Sequence, residues 1–312
     1  MFKLFIDGRE GTTGLRITER LEGRSDISLL TLPEELRKDS AARREMLNAA
    51  DVAILCLPDA AAIEAVGMVE NAHTRIIDAS TAHRTAVGWT YGFPEISGEL
   101  ATALPSAVRV AVPGCHASGF IALVRPLIDA KILPKDALLS CHSLTGYSGG
   151  GKKMIAAYGV SQGRDPLYDA PRQYGVSQGH KHLPEMKTLT GLSTAPVFSP
   201  IVADFYSGME VTVPLHRAQL ASGCGIDDIR RVYAELYGGE IVRYAENADE
   251  GGFLSAGRFS GLDSMEISVY GCDDRILLTA RYDNLGKGAS GAAVECLNIL
   301  LGVDAKTGLV LA

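Results

Sequence analysis

The chain has 312 residues, of which 46% are hydrophobic and 21% charged, a composition typical of globular proteins. The length allows two hydrophobic cores of roughly 100 to 200 residues each, so we expect two domains. A formal net charge of −7 gives no sign of the basic surface that binding to a phosphate backbone requires, so we expect no nucleic-acid partner.

The apolar segments and the cysteines indicate the cellular compartment of the protein. The richest apolar stretch, residues 52–69, contains Pro58, Asp59 and Glu64, so we expect neither a membrane span nor a signal peptide. The six cysteines are scattered and include no Cys-x-x-Cys pair, which suits a reducing cytoplasm.

The first part of the chain alternates predicted strands with predicted helices. The apolar runs that predict strands are residues 2–6, 27–32, 52–57 and 75–78. The intervening segments that predict helices are residues 15–21, 33–49 and 60–69. Strands and helices that alternate at this spacing favour a parallel, doubly wound sheet.

After about residue 116 the pattern changes to glycine-rich loops and alternating strands, which predicts a second, mostly antiparallel domain. Residues 208–213 predict one strand, and residues 265–270 and 275–280 predict a hairpin. Residues 289–301 predict a helix that packs back on the first domain through one apolar face. That face consists of Ala292, Ala293, Cys296, Ile299 and Leu300.

A glycine-rich loop follows the first predicted strand. Gly8, Gly11 and Gly14 are spaced by three, directly before a predicted helix. The backbone N–H groups of such a loop, with those of Thr12 and Thr13 at the helix start, can approach a pyrophosphate. The loop therefore indicates a dinucleotide site, although this spacing differs from the commoner Gly-x-Gly-x-x-Gly.

The segment after the second predicted strand bears on which dinucleotide binds. No acidic residue stands at the tip of that strand, whereas Arg37 and Lys38 lie just beyond residues 33–35. These basic side chains would neutralise a 2′-phosphate, which favours NADP over NAD. The alternative is that both are solvated charges on a polar helix face.

Cys115 is the candidate nucleophile. It lies in the loop of residues 113–119, directly before an apolar segment at 120–125, so it is predicted to fall on a strand-to-helix turn. There the helix dipole and the backbone N–H groups favour a thiolate and could hold an oxyanion. The alternative, a buried structural cysteine, is the interpretation we adopt for Cys56.

Two histidines supply a candidate acid–base partner. His180 and His182 would share one face of an extended segment, and either could move protons for the cysteine. A His-x-His pair also ligates zinc, but no second cluster with ligand spacing accompanies it, so we expect no metal. The roles of His116 and His142 stay open at this point.

Seven short motifs follow one another along nearly the whole chain: Gly8-x-x-Gly11-x-x-Gly14, Leu57-Pro58, Asp78-x-Ser80-x-x-x-Arg84, Tyr91-Gly92-x-Pro94-Glu95, Pro113-Gly114-Cys115, His180-x-His182-x-Pro184-Glu185 and Asp283-Asn284-Leu285-x-Lys287-Gly288-Ala289-Ser290-Gly291. In this order they resemble the N-acetyl-gamma-glutamyl-phosphate reductase family. The length and the segment 113–119 are similar to the shorter bacterial form. Arg9 and Glu10 depart from the loop of the longer form.

The resemblance implies a fold and a setting. The expected fold is an α/β Rossmann domain, residues 1–115 and 286–312, with an inserted α+β catalytic and oligomerisation domain, residues 116–285, similar to aspartate-semialdehyde dehydrogenase. The expected setting is arginine biosynthesis in the cytoplasm, by a homo-oligomer that uses NADP and a small acyl phosphate, with no nucleic-acid or membrane partner.

The resemblance also implies a reaction. Cys115 would attack N-acetyl-L-glutamyl 5-phosphate, phosphate would leave, and NADPH would reduce the thioester to the 5-semialdehyde, with His182 or His180 handling protons.

The motif positions assign further residues to ligands. Ser80 and Asn284 would contact the cofactor, and Arg84 would bind an anion of the substrate. Ser148, Gly149 and Lys152 would form a nest for the departing phosphate. The alternative for the nest is a flexible glycine loop.

Other functions remain open from the sequence. Within the same chemistry they are aspartate-semialdehyde dehydrogenase and a carrier-linked aminoadipyl phosphate reductase. From another class, the chain could be a non-catalytic dinucleotide-binding regulator, a hypothesis weakened by the joint presence of Cys115 and the histidine pair.

Overall fold

The computed structural model describes residues 1–160 and 163–312. In chain order its strands are β1 (Phe2–Asp7), β2 (Ile27–Leu30), β3 (Val52–Leu55), β4 (Arg75–Asp78), β5 (Thr90–Tyr91), β6 (Arg109–Ala111), β7 (Ser140–Gly146), β8 (Arg172–Gln173), β9 (Val197–Ala203), β10 (Met209–His216), β11 (Val242–Tyr244), β12 (Met265–Gly271) and β13 (Arg275–Tyr282). The helices are α1 (Thr12–Leu21), α2 (Ser40–Ala49), α3 (Asp59–Gly67), α4 (Gly98–Ala103), α5 (Cys115–Asp129), α6 (Gly151–Tyr158), α7 (Leu183–Thr190), α8 (Ile226–Leu236) and α9 (Gly291–Leu301). In this part of the chain no helix is long and apolar enough to cross a membrane.

The chain divides into two compact units. The first consists of residues 1–94, 98–113 and 289–309, and the second of residues 95–97, 114–288 and 310–312. The second unit is thus almost entirely one continuous segment inserted into the first.

The sheet of the first unit has the order β2-β1-β3-β4-β6-β5, and every neighbouring pair is parallel. This confirms the parallel, doubly wound sheet predicted from the sequence. β1 pairs with β2 on one side and with β3 on the other, so the strand order reverses at β1. At such a reversal, connections leave the sheet in opposite directions and open a crevice at the carboxyl ends of the strands.

β3 shows why both faces of this sheet are covered. All four of its residues are buried, and they alternate between two cores, with Val52 and Ile54 in one and Ala53 and Leu55 in the other. α9 covers the face that carries Val52 and Ile54. Its predicted contact residues join that core, four of them buried and one partly buried: Ala292, Ala293, Cys296, Leu300 and Ile299.

The predicted helix over residues 33–49 is wrong in its first half. Residues Glu34–Leu36 form a single 3-10 turn, and α2 begins only at Ser40. The Asp39 carboxylate accepts a 2.8 Å hydrogen bond from the N–H of Ala42 and so caps the new helix start. A side chain that accepts a hydrogen bond from a backbone N–H in this way favours the start of a new helix at Ser40 over a continuous helix from residue 33.

The sheet of the second unit has the order β11-β12-β13-β10-β7-β9-β8. Most neighbours are antiparallel, as predicted, including the β12–β13 hairpin, while β11–β12 and β7–β9 are parallel. α5 lies on one face of this sheet against β10 and β13, with α7 and α8 beside it. Nearly all of its residues are buried, so it is the central helix of the unit.

Candidate active site

Cys115 is the first residue of α5, and its side chain is half-buried. The preceding residue, Gly114, adopts an extended conformation and offers no side-chain cap to the helix. The N–H groups of a first helical turn have no partner inside the helix and carry partial positive charge. A thiolate at this position, or an oxyanion formed on it, is therefore stabilised by the backbone.

Two buried side chains hold the backbone on either side of this cysteine. The N–H of Gly114 donates a 2.8 Å hydrogen bond to Oε1 of Glu185, a residue of α7 that is only 2% exposed. The hydroxyl of Tyr282 donates to the carbonyl of Cys115 and accepts from the N–H of Gly119 at 3.0 Å. The conformation of the helix start is thus determined by α7 and β13.

Gly288 lies so close to Cys115 that the absence of a side chain at position 288 leaves room for the cysteine. Residues Gly286–Ser290 form a π-helical turn directly before α9, an irregularity found often at functional sites. A Cβ atom on Gly288 would lie 3.1 Å from the Cβ of Cys115. The same atom would lie 3.0 Å from the carbonyl oxygen of Asp283, so a larger residue at position 288 would require shifts of a few tenths of an ångström in its neighbours.

Three histidine rings cluster in the second unit, and one of them belongs to His116, the residue that follows Cys115 in the chain. The ring centres of His180 and His182 are 4.8 Å apart, and each is 5.7 Å from the ring of His116. Because His116 follows Cys115 directly, the predicted pair lies near the start of α5. Among residues 1–160 and 163–312, no three His, Cys, Asp or Glu side chains are arranged to hold a metal ion.

The two predicted acid–base histidines differ in their surroundings. His182 is 4% exposed, and its backbone N–H donates to Nδ1 of His180 at 3.2 Å. Nδ1 of His180 is therefore an acceptor, and the proton of its neutral ring is on Nε2. Burial, and then the charge of Lys181, lower the pKa of His180, so this imidazole is neutral at neutral pH.

His116, left open by the sequence, has both ring nitrogens engaged. Nδ1 lies 2.6 Å from Oγ of Ser143, and Nε2 lies 2.5 Å from the hydroxyl of Tyr174. Burial, and then the neighbouring His180, lower the pKa of His116 to about 3. Sequence patterns held no signal for Ser143 and Tyr174.

The residues assigned to the phosphate nest lie together in the second unit, around the 3-10 turn of residues Tyr147–Gly150. Nδ2 of Asn284 donates to Oγ of Ser148 at 2.9 Å, and its Oδ1 accepts from the N–H of Gly208 at 2.9 Å. Gly149 stands beside that amide, and Lys152 is exposed in the first turn of α6. Asn284, assigned to the cofactor, thus supports the same turn as the substrate-assigned residues.

The glycine loop of the first unit borders a cavity of about 660 Å³. Gly8 follows β1 at the strand-order reversal and has a φ of +83°. A Cβ atom there would lie 2.4 Å from the carbonyl oxygen of Cys56, so only glycine fits. Gly11 precedes α1 as its N-cap, and Thr12, Thr13 and Gly14 form its first turn. This arrangement suits a dinucleotide pyrophosphate.

Charged side chains line the same cavity. Arg37 pairs with Glu10 at 3.2 Å, and both side chains are about half exposed. Asp7 forms a buried pair with Arg43 at 2.9 Å. Burial raises the pKa of Asp7, and the Arg43 guanidinium opposes that rise. Arg37 therefore lies at the cavity, in contact with a carboxylate of the glycine loop itself.

Ser80 and Arg84 lie beyond the end of β4, in the first unit. Ser80 is buried, and its Oγ donates to the Asp78 carboxylate at 2.7 Å. Arg84 donates through Nε to the carbonyl of Val112 at 2.9 Å and through Nη2 to that of Ala79 at 3.3 Å. These bonds hold the guanidinium in one orientation.

Two family models match the chain. The model described as semialdehyde dehydrogenase, NAD binding domain, matches residues 6–103, and the model described as semialdehyde dehydrogenase, dimerisation domain, matches residues 115–284. Together they cover most of the sequence and agree with the order of the two units.

Individual proteins are similar over almost the full length. N-acetyl-gamma-glutamyl-phosphate reductase 2 of Nostoc sp. is 45% identical over 98% of this chain and 99% of its own. The solved aspartate semialdehyde dehydrogenase II of Vibrio cholerae has a TM-score of 0.73 at 16% identity, covering 97% of this chain and 99% of its own. The aspartate semialdehyde dehydrogenase with NADP from Candida albicans has a TM-score of 0.65 at 14% identity, covering 96% and 98%. At such low identity the two structures bear on the fold alone, and they confirm the predicted fold class.

Proposed function

The chain belongs to the N-acetyl-gamma-glutamyl-phosphate reductases of the semialdehyde dehydrogenase family, and we propose that it reduces N-acetyl-L-glutamyl 5-phosphate to the 5-semialdehyde with release of phosphate. The reaction would serve arginine biosynthesis in the cytoplasm, where the six thiols would stay reduced. The observation that supports this most is Cys115 at the first residue of α5, followed by His116, whose ring contacts the histidine pair.

The cofactor proposed for the first unit is NADP. The steric requirement for glycine at position 8, the start of α1 and the 660 Å³ cavity all fit a dinucleotide. Arg37 and Lys38 line the cavity near the end of β2, where they would meet a 2′-phosphate. Ser80 would complete this site, and the motif position of Asn284 assigns it to the cofactor as well. A bound nicotinamide would supply the hydride that reduces the acyl group.

The protein's own part in the reaction begins with Cys115. Its Sγ attacks the acyl carbon, a C–S bond forms, the C–O bond to phosphate breaks, and phosphate leaves. Backbone N–H groups of the first turn of α5 stabilise the oxyanion that forms on the way. One imidazole of the pair His180 and His182 accepts the thiol proton and returns a proton to Sγ when the C–S bond breaks and the aldehyde leaves.

Anions of the substrate need cationic or N–H partners. Arg84 has a guanidinium whose orientation is fixed by two carbonyls, which suits a carboxylate or a phosphate. Ser148, Gly149 and Lys152 combine a turn of backbone N–H groups with the start of α6. We assign this turn to the departing phosphate.

The second unit, the proposed catalytic and oligomerisation domain, has an exposed area on the sheet face opposite α5, around Pro214 and Leu277. Along β10 buried residues alternate with the half-exposed Glu210, Thr212 and Pro214, and Pro214 pairs with the exposed Leu277. We assign this face to a second copy of the chain. Light scattering of Leu277→Lys should then show dissociation, whereas Leu167→Lys, at an exposed site outside the sheet, should behave as wild type.

The reverse reaction tests the proposed function. With NADP and phosphate, the protein should oxidise N-acetyl-glutamate 5-semialdehyde much faster than aspartate semialdehyde, and formation of reduced cofactor reports the rate. A preference for aspartate semialdehyde would transfer the assignment to that relative. Cofactor binding without oxidation of either aldehyde would instead indicate a dinucleotide-binding regulator.

A further inference from the structure

A tyrosine hydroxyl occupies a place in α5 that the helix backbone normally fills by itself. In a regular helix the N–H of Gly119 would donate to the carbonyl of Cys115, four residues earlier. Here the hydroxyl of Tyr282 accepts from that N–H at 3.0 Å and donates to that carbonyl. Tyr282 is fully buried and belongs to β13, so a side chain of the sheet enters the first turn of the nucleophile helix.

The glycine at position 119 leaves room for this hydroxyl. A Cβ atom there would lie 2.8 Å from the Tyr282 hydroxyl and 2.8 Å from Cγ2 of Val211, on the adjacent strand β10. A side chain at position 119 would therefore require that the phenol or α5 moves. Glycine is a poor helix former, and the close approach of the phenol accounts for its presence inside this helix.

A second buried tyrosine, bonded to the same helix, shows what is unusual about Tyr282. The hydroxyl of Tyr237 donates to the carbonyl of Ala122 at 2.7 Å. That carbonyl has no partner four positions later in the helix, because Pro126 has no N–H. Tyr237 thus replaces a donor that the helix lacks, whereas Tyr282 bonds to two groups that could bond to each other. The need to satisfy the backbone therefore explains Tyr237 but not Tyr282.

The bridge formed by Tyr282 has a fixed direction. A phenol carries one proton, and here that proton points to the carbonyl of Cys115, while the oxygen accepts from Gly119. Burial raises the pKa of Tyr282 well above its usual range, so the hydroxyl keeps its proton at neutral pH. The bridge therefore persists while the thiol gains and loses its charge.

The bridge connects the position of Cys115 to the sheet of the second unit. A side chain that enters the ladder of i→i−4 hydrogen bonds changes the direction of a helix at that point. On the other side of the cysteine, the N–H of Gly114 is held by Glu185. The backbone of the nucleophile is thus held by one contact before it and one after it.

We propose that Tyr282 is a positioning residue of the reaction, because its hydroxyl, inserted between the Cys115 carbonyl and the Gly119 N–H, determines the place from which Sγ attacks the acyl carbon. The inference rests on the proposed role of Cys115 as the nucleophile. Attack requires that sulfur, acyl carbon and the N–H groups that bind the oxyanion are aligned. Because Tyr282 is fully buried, it acts through the backbone of Cys115 and not on the substrate.

Tyr282→Phe tests the proposal, since it removes the hydroxyl and keeps the ring. The N–H of Gly119 can then bond directly to the carbonyl of Cys115, which displaces the cysteine. Acylation of Cys115 by the acyl phosphate should become about 10-fold to 100-fold slower. The gain in intact mass after rapid mixing, without reduced cofactor, measures that rate.

Alkylation of Cys115 by iodoacetamide separates position from charge. The rate with this small reagent follows the thiolate fraction, so Tyr282→Phe should change it by less than about threefold at each pH. A parallel loss of acylation and alkylation would show that the phenol acts on the charge of the thiol, and it would overturn the proposal. The rate must be read from the peptide that carries Cys115, because the exposed Cys272 reacts as well.

Tyr237→Phe is the matched control, because it removes a buried hydroxyl that donates to a carbonyl of the same helix. It leaves the Ala122 carbonyl without a donor, so it should lower the urea midpoint of unfolding at least as much as Tyr282→Phe. Its rate of acylation should nevertheless equal that of the wild type. Equal losses of acylation in the two variants would assign Tyr282 a role in stability alone and would overturn the proposal.

Crystal structures of the two variants test the geometry without substrate. In Tyr282→Phe the N–H of Gly119 should bond to the carbonyl of Cys115, and Sγ should be displaced from its wild-type position. In Tyr237→Phe the sulfur should not move. An unchanged position of Cys115 in Tyr282→Phe would contradict the inference.

Failure of this inference differs from failure of the proposed function. If the wild-type protein reduces the acyl phosphate and Tyr282→Phe is acylated at the same rate, only the positioning role is refuted. If the wild-type protein is never acylated, but Sγ is displaced in the crystal of Tyr282→Phe, the reaction assignment fails and the tyrosine still determines the position of the sulfur.

Discussion

The backbone N–H of Gly114 donates a 2.8 Å hydrogen bond to the carboxylate of Glu185, 71 residues further along the chain. Glu185 belongs to α7, which begins directly after His182. The start of the nucleophile helix and the end of the histidine segment are therefore joined by one buried contact. A displacement of either would change the distance between nucleophile and acid–base group.

Substitution of Glu185 tests this connection. Glu185→Ala leaves the N–H of Gly114 buried without its acceptor, which should reduce the free energy of unfolding by about 1–3 kcal/mol. The resulting shift of Cys115 should lower kcat by about 100-fold. Glu185→Gln keeps an acceptor oxygen and should retain much more activity. Equal losses of kcat in the two variants would contradict a positioning role.

Cys115→Ser should leave the fold intact and abolish reduction, because a serine hydroxyl is a far weaker nucleophile without a strong adjacent base. Wild-type protein with acyl phosphate and no reduced cofactor should gain the mass of one acyl group, on the peptide that carries Cys115. Circular dichroism and cofactor binding of the serine variant serve as controls. Reduction at the wild-type rate by that variant would refute the thioester.

Arg84→Ala should raise the KM for the acyl phosphate, because the substrate anion would lose the oriented guanidinium that binds it. It also loses two bonds to carbonyl groups, so some loss of stability is expected. Arg75→Ala is a matched control, since Arg75 likewise donates to two carbonyls, those of Pro105 and Leu300. An unchanged KM in the Arg84 variant, or an equal rise in both, would count against substrate binding.

The cofactor preference should depend on Arg37. A charge-assisted hydrogen bond between Arg37 and the 2′-phosphate would be worth about 1.5–3 kcal/mol. Arg37→Ala should therefore lower kcat/KM for NADPH by at least about tenfold, with little change for NADH. Glu10→Gln should shift the preference further towards NADPH by removing the carboxylate that competes for Arg37. Arg44→Ala is the control, because Arg44 forms a similar exposed pair with Glu70 outside the cavity lining.

His116 should make the stability depend on pH. Its pKa falls from 6.5 in the unfolded chain to about 3 in the folded one, so between these values the unfolded state binds more protons. The free energy of unfolding is therefore unaffected by the titration of His116 above pH 6.5 and decreases as the pH falls from 6.5 towards 3. By pH 5 the decrease is about 2 kcal/mol. Urea unfolding at pH 7 and pH 5 should show a smaller difference in His116→Gln than in wild type.

Local patterns in the sequence determined much of the architecture. The alternation of apolar runs with helical segments predicted the parallel sheet, and the apolar face of residues 289–301 predicted the helix that covers it. The glycine loop was predicted between a strand and a helix, and it lies between β1 and α1. These features follow from side-chain periodicity and turn chemistry, which depend on residues only a few positions apart. Where a local cap competes with a helix, as at Asp39, the same reasoning failed.

Only the tertiary structure decided how the nucleophile is surrounded. His116 meets Ser143 across 27 residues of chain and Tyr174 across 58, and Gly114 meets Glu185 across 71. No periodicity encodes such pairs, because they depend on which strands and helices become neighbours and on which polar atoms burial leaves without water. The sequence therefore indicated Cys115 and the histidine pair, and the folded chain decided which buried polar groups surround them.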